Sequence, residues 1–178
     1  MTHRVVIEGD LTVSEEVWPA QAAVMLDGPR RSGWASDYPT PGTRLTVDRL
    51  AASVRAGTWA PGFGMYTLRP RGGLVCGGWA FSTAPDEAGR VEIGYGLAPS
   101  GRGRGLMTDA VRAAVRWALA QPAVRCVWAG VDHDNHPSIA VLERAGLRRV
   151  ADRDGSRRYE IGPGASDGPA PGVTGRSG

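Results

Sequence analysis

The sequence contains no lysine; all 21 basic residues are arginine. That absence alone removes a Walker-type nucleotide loop, which requires Gly-Lys-Ser/Thr. Cysteine is nearly as scarce. Cys76 and Cys126 stand in separate apolar, strand-like runs, GGLVCGGWAF and VRCVWAGV, and neither has a neighbour at metal-ligand spacing. They read as small buried hydrophobes. No run reaches the ~18 apolar residues of a membrane span. The opening MTHRVVIEGD lacks the apolar stretch of a secretory signal, so a cytoplasmic protein is the expectation. A strong charge of one sign is also missing. The arginines are balanced by 18 acids, leaving a net charge of +3 spread along the chain. That is not the concentrated basic footprint of a nucleic-acid binder.

What is present is a chain of 178 residues, 42% hydrophobic, enough for one domain with a real core. HRVVI is β-branched enough for a first strand. Ser14 has the character of an N-cap, with Glu15, Glu16 and Val17 to Leu26 forming an amphipathic helix behind it. Residues 27–42 are loop by composition, and TVDRLAASVRAG reads as a second helix closed by Gly57. Three hairpin-spaced strands follow, GFGMYTLRP, LVCGGWAFS and VEIGYGLA. A third helix runs from Leu106 to about Ala120, ahead of the breaker Pro122. VRCVWAGV is a strand, HPSIAVLERAG a short helix closed by Gly146, and LRRV with RRYEI a final pair. The order predicts one mixed α/β domain over residues 1–161, with a largely antiparallel sheet flanked by helices. The two strands joined across the third helix should be parallel. Residues 162–178 are rich in glycine and proline and read as a disordered tail.

Between VEIGYGLA and the third helix stands GRGRG, residues 101–105. It is too short and too singular for a disordered RNA-binding segment. The dinucleotide fingerprint also fails, because its last glycine would fall on Leu106 or Thr108. Strand, glycine-rich turn and helix N-terminus is still the setting of an anion site. The first helical turn offers unpartnered N–H groups and about half a positive charge, and glycines let an anion come close. The plain alternative is a tight turn whose glycines serve only backbone conformation.

The stretch VEIGYGLAPSGRGRGLMTDAVRAAVRWAL resembles the acetyl-CoA motif of the GNAT family of N-acetyltransferases: a strand, Arg/Gln-x-x-Gly-x-Gly/Ala, then a helix. Arg102, Gly105 and Met107 take the signature positions, and Met107 departs from the usual Gly or Ala. DNHPSIAVLERAGLRRV resembles a second block, from the branch that acetylates ribosomal-protein N-termini, with Asn135, Ser138, Val141, Glu143 and Gly146 in register. The resemblance implies the acyl-CoA N-acyltransferase fold and acetyl-CoA as co-substrate, with no metal. It implies that backbone near Leu97 and Ala98 pairs with the pantetheine arm. The backbone of Arg102, Gly103, Arg104, Gly105, Leu106 and Met107 would cradle the pyrophosphate, and Asn135 would bond the arm.

Acetyl transfer to an amine needs a proton acceptor, a stabilised oxyanion and a proton for the departing thiolate. Many family members protonate the thiolate with a tyrosine seven residues after the position of Asn135; here that position is Leu142. In the ribosomal-protein branch a serine three residues on has this role, which implies Ser138. An ordinary polar residue in a helix's first turn is the plain alternative. Glu92 matches the family's active-site carboxylate and is the candidate base, acting through water, although a strand glutamate is usually just solvated. His133 and His136 flank Asn135, make a poor metal set, and could border the acceptor mouth or serve as a backup acid or base. By likeness to relatives the acceptor lies against GWASDYPTP. There Trp34, Asp37 and Tyr38 offer aromatic walls and a carboxylate for a cationic amine, unless the rings simply pack onto the domain. The expected activity is acetyl transfer from acetyl-CoA to a primary amine of a peptide or protein N-terminus, an antibiotic or a small metabolite. A non-catalytic acyl-CoA-binding module is the other reading. Neither nucleic acid nor a membrane is an expected partner, and the chain could act as monomer or homodimer.

Overall fold

A computed structural model describes residues 4–27, 31–153 and 155–163. The tail expected over 162–178 lies almost wholly outside them. One eight-stranded sheet runs through the domain in the order β1-β2-β3-β4-β5-β6-β8-β7. The strands are β1 (Val6–Glu8), β2 (Thr12–Val17), β3 (Met65–Pro70), β4 (Gly77–Phe81), β5 (Arg90–Leu97), β6 (Cys126–Asp132), β7 (Arg148–Arg153) and β8 (Ser156–Ile161). The helices are α1 (Pro19–Met25), α2 (Pro41–Arg55), α3 (Leu106–Leu119) and α4 (His136–Arg144). Every strand pair is antiparallel except β5 with β6, the pair joined across α3, which is parallel as the crossover requires.

α3 and α4 cover one sheet face, while α1 and α2 pack on the other beside β3 and β4. α3 suits its place because Leu106, Ala110, Val111, Ala114, Val115 and Ala118 are all buried. The small alanines let the helix lie close to the sheet. Trp79 and Phe81 project into the α3 side, where Trp117 and Phe63 close around Phe81.

The expected N-cap at Ser14 is overturned. Ser14 lies in the middle of β2, paired to Ile7 and Leu68, and α1 starts at Pro19 behind Trp18. The reason is an inverted pattern. Thr12, Ser14 and Glu16, the polar residues of alternate positions, all point into the α3 side and are 0%, 1% and 1% exposed. Each is buried with its own partner, as burial demands. Thr12 Oγ1 donates to Asp109 at 2.6 Å, and Ser14 Oγ accepts from Trp79 Nε1 at 2.9 Å. Glu16 accepts from the Gly62 N–H at 2.6 Å and the Val5 N–H at 3.1 Å. Tertiary pairing therefore overrides the local capping signal. α2 also begins earlier than expected, at Pro41, because Thr40 caps it by accepting from the Thr43 N–H.

Glu16 ties β1, β2 and the segment before β3 together. Glu16→Ala strands two buried N–H groups and is expected to cost about 3 kcal/mol in urea unfolding, with Glu16→Gln losing less because one acceptor remains. Tyr38 is 2% exposed, and burial pushes its phenol up to about 12. A phenol raised in the native state stabilises it fully below the ordinary value of about 10. That contribution is lost as pH rises towards about 12. Urea midpoints should therefore fall over this window, and Tyr38→Phe should make the fall shallower.

Candidate active site

The parallel ladder between β5 and β6 is only three residues long: Arg90 with Cys126, Val91 with Val127, Glu92 with Trp128. Beyond it the strands part. β5 stays paired to β4 as far as Leu97 with Gly77, and β6 stays paired to β8 as far as Asp132 with Ser156. A cleft of about 300 Å³ opens at the fork. Ile93 to Gly96 form one lip and Ala129 to Asp132 the other. Asn135, Ser138 and Leu142 close one end, and α2 roofs it with Thr43, Leu45, Thr46 and Arg49.

The floor is nearly bare. Gly78, Gly94, Gly96 and Gly130 all line it. A Cβ added at Gly94 or Gly96 would meet nothing within 4 Å, and neither has a positive φ. Backbone conformation does not require glycine there; open space above the strand is what glycine provides. No motif singles these residues out; the signal for them is the pair of glycines at alternate positions within one strand, VEIGYGLA.

GRGRG sits where β5 meets α3. A single 3-10 turn, Pro99–Gly101, leads into it. Gly103 and Gly105 both have φ of +72°, a conformation that favours glycine. Gly105 is the N-cap of α3 in the left-handed region. Leu106 and Met107 bury their side chains, so only their backbone faces the loop. Arg102 and Arg104 are exposed around it. Asp109 points elsewhere: its carboxylate accepts from the Asp10 N–H at 2.9 Å, the Leu11 N–H at 3.1 Å and Thr12 Oγ1. This clamp fixes the start of α3 against the β1–β2 turn, and Gly9 permits the approach because a Cβ there would lie 2.0 Å from Asp109 Oδ2.

The remaining expected residues fall into two groups. Asn135 and Ser138 are on the cleft wall. Asn135 caps α4, its Oδ1 accepting from the Ser138 N–H at 3.2 Å. Glu92, half-buried, sits just beyond the wall on the face of β5 that carries Gly94, level with Trp128. The backbone of Leu97 and Ala98 is already engaged: Arg102 donates to the Leu97 carbonyl at 3.3 Å, and the Ala98 N–H bonds to Cys76. The free lip lies upstream, at Ile93 to Gly96.

Trp34, Asp37 and Tyr38 are not brought to the cleft. Their loop pairs with Val75 and packs down onto the domain, Trp34 against Tyr38 at 5.1 Å. Asp37 accepts from Ser100 N–H and Oγ at 2.8 and 2.7 Å, which braces the turn before GRGRG. His133 and His136 do not line the cleft either. Among the described residues no group of three or more His, Cys, Asp and Glu is placed to hold a metal. Tyr95, which no motif singles out, also belongs to the site. It lines the cleft and reaches across it, its hydroxyl donating to the Ser138 carbonyl at 2.9 Å. Burial pushes its phenol up, so it carries its proton at neutral pH.

Residues 13–148 match the model of the acetyltransferase (GNAT) domain. The chain is similar to the uncharacterized N-acetyltransferase YjdG of Bacillus subtilis (strain 168), 36% identical over 73 residues, which is 41% of this chain and 44% of that protein. The match therefore spans less than half of that relative. Among solved structures it superposes on RimL, a ribosomal L7/L12 alpha-N-protein acetyltransferase in complex with coenzyme A, with a TM-score of 0.64 and 17% identity over 89% of this chain and 98% of the other. RimJ of Mycobacterium smegmatis, in complex with CoA-disulfide, gives 0.60 and 19% over 90% and 87%. With the forked sheet, the glycine loop at the head of α3 and a domain match across most of its length, the chain belongs to the GNAT family of acetyltransferases.

Proposed function

We propose that this protein transfers the acetyl group of acetyl-CoA to a primary amine by direct attack in a ternary complex. The observation that carries the reading is the fork between β5 and β6, glycine-floored and open, with GRGRG and the N-terminus of α3 at the end of the same strand. When bound, the coenzyme supplies an activated thioester. The loop suits its pyrophosphate, since Gly103 and Gly105 lower the backbone and Arg102 and Arg104 surround it with positive charge. The edge of β5 from Ile93 to Gly96 has no strand on its β6 side and suits the amides of an extended arm. Coenzyme A in the related RimL and RimJ structures supports the same assignment.

Position supports a role for each group at or beside the cleft. Glu92 holds a carboxylate one alternation from Gly94 and takes the amine's proton through a water. Ser138, in the first turn of α4, faces the cleft and donates to the departing thiolate. Tyr95 fixes that turn by its bond to the Ser138 carbonyl and brings a second protonated hydroxyl to the same wall. Leu142, buried in the wall, offers no proton. Holding both reactants in line in a narrow cleft provides a large part of the rate without any of these groups.

Thiol release from acetyl-CoA against N-terminal peptides, aminoglycosides, polyamines and amino acids tests the activity, with products identified by mass. Glu92→Gln should lower kcat by about 10²-fold. Unchanged turnover in Ser138→Ala would end the proposal for that side chain, and Tyr95→Phe then becomes the variant expected to lose rate. Gly96→Val should fold normally and raise KM for acetyl-CoA at least about tenfold by filling the floor.

A further inference from the structure

The cleft has a chemical bias that bears on the acceptor. α2 forms its roof, and the hydroxyls along that roof are already spent within the helix. Thr40 and Thr43 bond one another at the N-cap, and Thr46 Oγ1 donates to the Gly42 carbonyl at 3.0 Å. Leu45 and Leu50 are apolar. Arg49 is what remains on the roof: it is the one cationic side chain lining the cleft, and among the described residues it makes no ion pair, while the one acidic side chain of the lining, Asp132, lies at the far end of β6. Its i−1 neighbour Asp48 is not on the cleft wall.

The course of α2 places Arg49 at one end. Near its start, Thr43 lies beside the Tyr38 hydroxyl, near Cys76. Further along the helix, Leu50 Cδ1 faces Gly64, whose carbonyl accepts from the Phe81 N–H. Arg49, next to Leu50, therefore stands at the Phe81–Ser82 end of β4. The Ser82 N–H bonds to the Glu92 carbonyl at 3.0 Å, so this is also the level of Glu92. Asn135 and Ser138 lie towards the opposite end, where the strands have parted. A second arginine of the same sheet face, Arg158, is not available for a ligand. It stacks on Trp128 at 4.1 Å and bonds Glu160 at 2.6 Å.

Resting on the activity proposed above, we infer that the acceptor is an amine carrying a carboxylate a few bonds away, an amino acid rather than a polyamine, with Arg49 as its anchor. Glu92 and Arg49 at one end of a low glycine floor match an amine and an acid group held side by side. A free guanidinium at the mouth would repel a polycation, whereas a carboxylate gains a two-point hydrogen bond.

The test pairs each α-amino acid with its own carboxamide, and adds phosphoethanolamine and spermidine, in the thiol-release assay with rates corrected for free amine. The wild type should favour the acid over the amide by about tenfold or more in kcat/KM, and phosphoethanolamine separates carboxylate from phosphate as the anion. Arg49→Gln should bring acid and amide to near parity, mainly through KM, and Arg49→Lys should restore part of the preference. Arg49 is exposed, so its variants should keep the wild-type melting temperature. Equal use of acid and amide by the wild type, a preference for spermidine, or a preference untouched in Arg49→Gln would each overturn the assignment while leaving acetyl transfer itself in place. Absence of transfer to every amine would instead remove the activity on which it rests.

Discussion

The parting of β5 from β6 after Glu92 and Trp128 is the constraint around which the molecule is arranged. A strand that loses its neighbour leaves unpaired N–H and C=O groups, and inside a protein these must find partners. Here each lip keeps an outer neighbour, β4 for one and β8 for the other, so the sheet remains continuous on both sides of the opening. The unpaired inner edges are then the natural place for a ligand with its own amide groups. Glycines at Gly94, Gly96 and Gly130 keep that place clear of side chains.

The opening is useful only if α3 starts at a fixed position beside it. Apolar packing along α3 does not by itself set the helix's position along its axis. The Asp109 carboxylate supplies that stop, accepting three hydrogen bonds from the β1–β2 turn. Asp37 does similar service for the preceding turn through Ser100. Two carboxylates that could have been read as ligands for a substrate are instead braces for the glycine loop. Half-buried carboxylates satisfied in this way hold geometry more than they add net stability.

The polar residues of β2 belong to the same framework. Thr12 meets Asp109, Ser14 meets Trp79, and Glu16 meets the backbone on both sides of its strand. A strand with its hydroxyls and a carboxylate turned inward looks from its residues like the start of a helix. Only partners distant in the chain make it a strand. The same holds for the loop of Trp34, Asp37 and Tyr38, whose composition suits an acceptor wall but whose backbone bridges to Val75 while the two rings pack on one another. Tyr95 was visible in VEIGYGLA, yet its hydroxyl gains meaning only once α4 is folded across the fork.

By itself the sequence determined whatever depends on neighbours a few residues apart. Those are the amphipathic α3, the glycines that GRGRG needs at positive φ, the closing of α4 before Gly146, and the crossover that makes β5 and β6 parallel. Two family-like blocks in register were legible for the same reason, since each is a local unit of strand, turn and helix. The tertiary structure alone decided which polar groups are free. Asp37, Asp109, Thr46 and Arg158 are committed to partners or positions that no local pattern reveals, and among the described residues Arg49 makes no ion pair on a cleft assembled from elements distant in the chain. A hydrogen bond between residues ninety-seven positions apart, such as Thr12 to Asp109, leaves no trace in either one's surroundings in the chain.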